Sequence, residues 1–191
     1  NSLANIRLTN NIVTQTTHPE RSLPTPSGDG GSPQMGICVN GIVNGLEIDH
    51  NVIRDLSMIA TEPGYGGPIG IAIYGYSETG PFTTNLNIHD NEIYGISVTN
   101  QGSADGYALG ILVGWASADA TVANNYVHDI GGNGIQVSSY NSGTSSIVGN
   151  TVVNNTNIGI AVNNLLASTV HFNRVFGNVA GLSSASAIDA T

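Results

Sequence analysis

Lysine is absent from the 191 residues, and four arginines (Arg7, Arg21, Arg54 and Arg174) stand against thirteen Asp and Glu. Nucleic acid and anionic membrane surfaces both need a basic footprint, so a net charge of −9 argues against either as a partner. Cysteine occurs once, at Cys38, which excludes an internal disulfide framework and a Cys-rich metal site. No run approaches the roughly 18 apolar residues of a membrane span. The sequence opens with neither an initiator Met nor a charged-then-apolar leader, so it reads as processed or cut from something longer. Charged residues are only 9% of the chain, while 40% hydrophobic residues are too many for a disordered one. A surface built of Asn, Ser, Thr and Gly rather than charge leads us to expect an extracellular or cell-surface protein.

What is abundant is a repeat. An apolar residue, two others, Asn, one other and a β-branched residue recur at Leu8/Asn11/Val13, Ile48/Asn51/Ile53, Ile88/Asn91/Ile93, Val122/Asn125/Val127, Ile147/Asn150/Val152 and Val170/Asn173/Val175. A Gly-Ile element follows each, at Gly36, Gly70, Gly110, Gly134 and Gly159, and as Gly181-Leu in the last. The final spacings, 25 and 23 residues between Asn125, Asn150 and Asn173, suit one turn of a three-sided β-solenoid. Turns stacked at about 4.8 Å bring equivalent positions into columns. At a corner the chain leaves amides unpaired, and an inward Asn can satisfy them while pairing with the Asn above and below. Asn11, Asn51, Asn91, Asn125, Asn150 and Asn173 are thus expected to form a ladder. Gly before Ile suits the next corner, where φ is positive or two backbones come close. A left-handed solenoid would need a strict hexapeptide period, which is absent.

The pattern NTVVNNTNIGIAV, repeated through nearly the whole chain, resembles the right-handed parallel β-helix repeat family. That family includes polysaccharide lyases, alginate-type C5-epimerases and surface proteins. The resemblance implies an all-β, right-handed parallel β-helix of about six coils, residues 1–191 forming one domain, either a fragment of a longer chain or a stacking subunit. One fold carries several chemistries, so function has to be argued from a site.

From ladder Asn to the next Gly the distances run 25, 19, 19, 9, 9 and 8 residues. The first three coils therefore carry insertions at one corner, expected as irregular loops stacked into a wall beside a binding side. Residues one and three after each Asn point outward. Their columns read Ile12, Val52, Glu92, Tyr126, Thr151, Arg174 and Thr14, Arg54, Tyr94, His128, Val153, Phe176. Arg54, Tyr94 and His128 form the candidate catalytic line: Arg neutralises a uronate carboxylate while His or Tyr removes the α-proton, as a lyase or C5-epimerase requires. Glu92 and Tyr126 stand beside it as ligand-binding candidates. Asp49 and His89 should stack as an ordinary surface pair.

The acidic lyase cluster and the Asp-Pro-His of alginate epimerases are missing; His18-Pro19-Glu20 has another order. Glu92 lacks a second carboxylate in its column for glycoside hydrolysis. No metal-ligand spacing occurs among the five histidines, and no cofactor is expected. Calcium is the one candidate ion, but Asp49, Asp55, Asp90 and Asp129 read as lying in different columns. The GIxV strands present Cys38, Ala72, Leu112, Gln136, Ala161 and Ser183 outward, an apolar strip near Tyr74, Tyr76 and Trp115. Either a covering loop, residues 75–84, or sugar rings stacked on the aromatics would account for it. With no amphipathic cap in view, open end rungs invite another chain. Two expectations result: a structural or adhesive extracellular solenoid that self-associates through its ends, or a carbohydrate-active domain acting on uronate-containing polysaccharide.

Overall fold

The computed structural model describes residues 3–14, 34–60, 67–74, 83–102, 106–114, 119–138, 144–163 and 167–184. Every described element is a strand, and all strand pairings are parallel, in three sheets. The first sheet stacks β1 (Leu3–Thr9), β4 (Val43–Asp49), β8 (Thr84–His89), β11 (Ala120–Ala123), β14 (Thr144–Val148) and β17 (Ala167–His171). In the second are β2 (Ile12–Thr14), β5 (Val52–Arg54), β9 (Glu92–Asn100), β12 (Tyr126–Ile130), β15 (Thr151–Val153) and β18 (Arg174–Phe176), with β6 (Ser57–Ala60) added beside β9. The third holds β3 (Met35–Asn40), β7 (Ile69–Tyr74), β10 (Ala108–Val113), β13 (Gly132–Ser138), β16 (Ile158–Asn163) and β19 (Ala180–Ser184). Each coil supplies one strand to each sheet, which makes a three-faced parallel β-helix of six coils. Among the described residues no helix is long and apolar enough to cross a membrane.

The interior is a set of columns. Ile48, Ile88, Val122, Ile147 and Val170 line up from the first sheet, Ile53, Ile93, Val127 and Val152 from the second, and Ile71, Ile111, Ile135 and Ile160 from the third; none exceeds 1% exposure. β-branched side chains suit a pleated surface buried on one face, and each such burial is worth about 1.5–3 kcal/mol.

The Asn ladder is real and regular. Asn91 donates its backbone N–H (3.1 Å) and its side-chain Nδ2–H (2.9 Å) to Oδ1 of Asn125, and the same pair of bonds links Asn11 to Asn51, Asn51 to Asn91, Asn125 to Asn150 and Asn150 to Asn173. From Asn51 onward each Nδ2 also reaches back to a carbonyl of the preceding coil, as Asn125 does to Ile88 O at 2.9 Å. What makes the corner is the residue before the Asn: Asn10, His50, Asp90, Asn124, Gly149 and Phe172 all have φ between 52° and 67°. At the glycine before Ile either positive φ or a close approach of two backbones was expected, and it is the second that holds. A Cβ on Gly70 would sit 2.6 Å from both Gly110 O and Ile93 Cγ2.

One further expectation is corrected here. The insertion wall is not all irregular loop, because Ser57–Ala60 pairs in register with Ser97–Asn100, which extends the second sheet past the corner. A second ladder also runs through the last coils. Asn155 Oδ1 accepts from Ile130 N (3.1 Å), and Asn155 donates both N–H (2.9 Å) and Nδ2–H (2.7 Å) to Asn178 Oδ1. Its signal was legible: both residues stand five after a ladder Asn.

Candidate functional site

The second sheet brings the candidate line together. Arg54 pairs with Tyr94 and Tyr94 with His128, while Val52, Glu92 and Tyr126 form the neighbouring column. The His128 ring stacks on Tyr94 (4.8 Å between centroids, 6° between planes) and on Tyr126 (4.2 Å, 27°). Its Nδ1 lies 2.7 Å from Asp129 Oδ2, while Nε2 stands 3.7 Å from Glu92 Oε1, beyond hydrogen-bond reach. Nε2 is covered and without a hydrogen-bond partner. A base must come within roughly 3 Å of the proton it takes. In this packing the imidazole is a clamped aromatic rather than an open base. Arg54 pairs with its chain neighbour, its Nη1 lying 3.4 Å from Asp55 Oδ2.

A denser constellation, which the sequence reading largely missed, occupies the end of the first sheet. Asp49 is fully buried, and its carboxylate accepts from Arg7 Nε (2.9 Å), Arg7 Nη2 (2.7 Å) and Thr9 Oγ1 (3.0 Å), with His50 Nδ1 at 2.7 Å. The Arg7 guanidinium holds the Asp49 carboxyl well below the usual carboxylate range, against the opposing pull of burial, and is itself raised by that partner. The expectation of an ordinary surface Asp/His pair is therefore corrected: the two stack in register, but Asp49 is an enclosed anion neutralised in place. Arg7 and Glu47 were detectable, each four residues before a ladder Asn.

His89 faces Asp90 through Nδ1 (2.7 Å) and Glu47 through Nε2 (3.2 Å). Burial, the largest single influence, disfavours its charged form, yet the hydrogen bonds to Asp90 and Glu47 outweigh it and raise the pKa above the ordinary 6.5. Protonated His89 thus stabilises the fold below about pH 6.5, and that contribution is lost as pH rises through its raised pKa. An NMR titration of the imidazole should place its midpoint above 6.5, and Asp90→Asn should lower it. A midpoint at or under the ordinary value would refute this account.

As for metal ligands, Glu47, Asp49 and His89 each bring one ligand atom within 4.8 Å of the others. Arg7 already serves as the counter-ion of Asp49. Asp55 and Asp129, read from the sequence as belonging to different columns, share one, with Gly95 between them. No calcium cage converges there among the described residues.

On the third sheet the strip Cys38, Ala72, Leu112, Gln136, Ala161, Ser183 is in register as expected. It is not an open apolar face. Ala72 (0%), Leu112 (8%) and Ala161 (3%) are buried; Ala72 and Leu112 form a small outer cluster with Ile69 and Leu109, against which Met35 and Tyr74 pack. Cys38 is exposed. Tyr76, Trp115 and residues 75–82 of the expected covering loop lie outside the described residues.

A family model described as "Protein of unknown function (DUF1565)" matches residues 55–190. The chain belongs to this family. The match takes in Glu92, Tyr94, Tyr126 and His128, whereas Arg7, Glu47, Asp49 and Arg54 precede it. Neither a curated protein nor a solved structure matches.

Proposed function

We propose that this chain is an extracellular or cell-surface structural solenoid of the fibre or adhesive kind, whose rungs are extended by another copy of the chain and whose lateral faces are presented to the surroundings. The observation that carries this reading is the edge that the Asn ladder presents at the outermost described rungs, beside exposed apolar side chains. Leu3 (61% exposed) and Ile12 (72%) stand on one, and Phe172 (74%), Phe176 (52%) and Val179 (80%) on the other. The ladder adds a polarity. Each coil donates to Oδ1 of the next, so among the described residues Asn11 Oδ1 has no donor and the Asn173 backbone N–H no acceptor, and the two rungs fit head to tail. Head-to-tail contacts of this kind build open filaments.

Light scattering across a dilution series, with negative-stain microscopy of the same samples, tests it. End-to-end stacks that shorten on dilution are expected, and Asn11→Leu should shorten them further. A monomer at every concentration refutes assembly.

A second reading is favoured by the line of Arg54, Tyr94 and His128: a polysaccharide lyase or C5-epimerase acting on uronate polymers. It requires the ring stack to open so that His128 Nε2 meets substrate. Rising absorbance from unsaturated products, lost in His128→Ala and Arg54→Ala, would establish the lyase. NMR of the polymer would reveal an epimerase.

A further inference from the structure

The outer face of the first sheet carries a groove of about 480 Å³ that neither reading above uses. Asn5, Gly45 and Asn85 share one column across three coils, and Arg7, Glu47 and Asn87 share the next but one; all six line the groove. The local backbone explains the shape. Asn5, Gly45 and Asn85 all take positive φ, at 53°, 79° and 52°. At the middle rung there is no side chain, and a Cβ on Gly45 would sit 2.8 Å from Asn5 Oδ1, so the Asn5 amide packs directly over Gly45.

The lining groups have bonding capacity to spare. Arg7 donates Nε and Nη2 to Asp49, and among the described residues Nη1 has no acceptor. Within the same set neither Asn5 nor Asn87 donates a side-chain hydrogen bond. Glu47 is only lightly engaged, 3.2 Å from His89 Nε2 and 3.5 Å from Arg7 Nε. Of the lining charges, Arg7 neutralises the buried Asp49, and Glu47 stands beside Arg7 and His89.

From this geometry we propose that the groove binds a neutral oligosaccharide lying across the first three coils. The rungs repeat at about 4.8 Å, which sets a row of amide, guanidinium and carboxylate groups against a row of ring hydroxyls. An acidic glycan would meet Glu47 and a net charge of −9, and a cationic ligand would meet Arg7. With no aromatic platform, recognition is by hydrogen bonds, and specificity comes from leaving none of these groups unpaired. The proposal stands whether or not the rungs assemble.

The test uses the whole chain and NMR amide shifts, with cellohexaose, xylohexaose, maltohexaose and mannohexaose as neutral probes and hexagalacturonate as the acidic one. At least one neutral probe is expected to shift amides of β1, β4 and β8. Asn87→Ala, which removes a side chain that donates to nothing, should weaken that binding about tenfold, the loss of one or two hydrogen bonds. Glu47→Gln should weaken it as well, and His128→Ala on the second sheet should not. Four results would each overturn the assignment: no neutral probe shifting these amides; shifts confined to the second sheet; binding of hexagalacturonate alone; or occupation by Ca²⁺ or Zn²⁺, titrated alone, that involves Glu47 and His89 and excludes sugar.

Discussion

Replacing Asn125 by alanine is expected to destabilise the solenoid by on the order of 4 kcal/mol, several times the effect of the same change at Asn11. Asn125 is 1% exposed and central in the ladder. Its Oδ1 accepts from the backbone and side-chain N–H groups of Asn91, and its Nδ2 donates to Ile88 O and Asn150 Oδ1. Truncation therefore strands groups on both neighbouring coils, and each unsatisfied buried group costs about 1–3 kcal/mol. Asn11 is exposed, and water replaces what its side chain loses. Urea unfolding of the two variants side by side gives the comparison. Equal losses, or a loss under about 1 kcal/mol at Asn125, would mean the ladder does not hold the coils together. Stacked repeats unfold through nearest-neighbour terms, so a weakened central rung should also broaden the transition.

The second large effect lies on the opposite wall of the same core. Gly110→Ala is expected to cost about 1–3 kcal/mol by overpacking, and Gly110→Val more. The glycine column runs in register through Gly36, Gly70, Gly110, Gly134, Gly159 and Gly181. A Cβ on Gly110 would fall against the Gly134 carbonyl oxygen and 2.6 Å from Val127 Cγ1. Val127 is fully buried, and the carbonyl belongs to the sheet, so neither can yield cheaply. Gly181 is the internal control, because a Cβ there meets only Val175 Cγ1 at 4.0 Å. Gly181→Ala should be close to neutral in thermal unfolding, and Val127→Ala should recover part of the Gly110→Ala loss. If Gly110→Ala and Gly181→Ala melt alike, the close-approach account is wrong.

Both predictions depend on features the sequence announces, and that separates what could be read in advance from what could not. A six-fold Asn pattern followed by Gly-Ile determines the fold class, the three faces, the coil count and the register, because a stacked solenoid turns sequence period directly into spatial column. The same rule placed Arg54 beside Tyr94 and Tyr94 beside His128. It could not say that two tyrosines would close over the imidazole and cover its Nε2, since a column gives a side chain's origin and not its rotamer. Burial was just as hidden. Asp49 and the outward Ala72 and Leu112 stand at positions that alternation marks as solvent-facing, yet other side chains enclose them.

The positive φ of the residue before each ladder Asn was hidden for a related reason. Residues as different as Asn10, His50 and Phe172 take the positive φ, so residue type alone does not reveal it. The sequence by itself determined the columns, through periodicity. The tertiary structure alone decided which columns touch, through local chain bends, side-chain packing and the pairing of charge across neighbouring coils. The Arg7–Asp49 lock and the groove beside it arise there, from contacts between coils about forty residues apart in the chain.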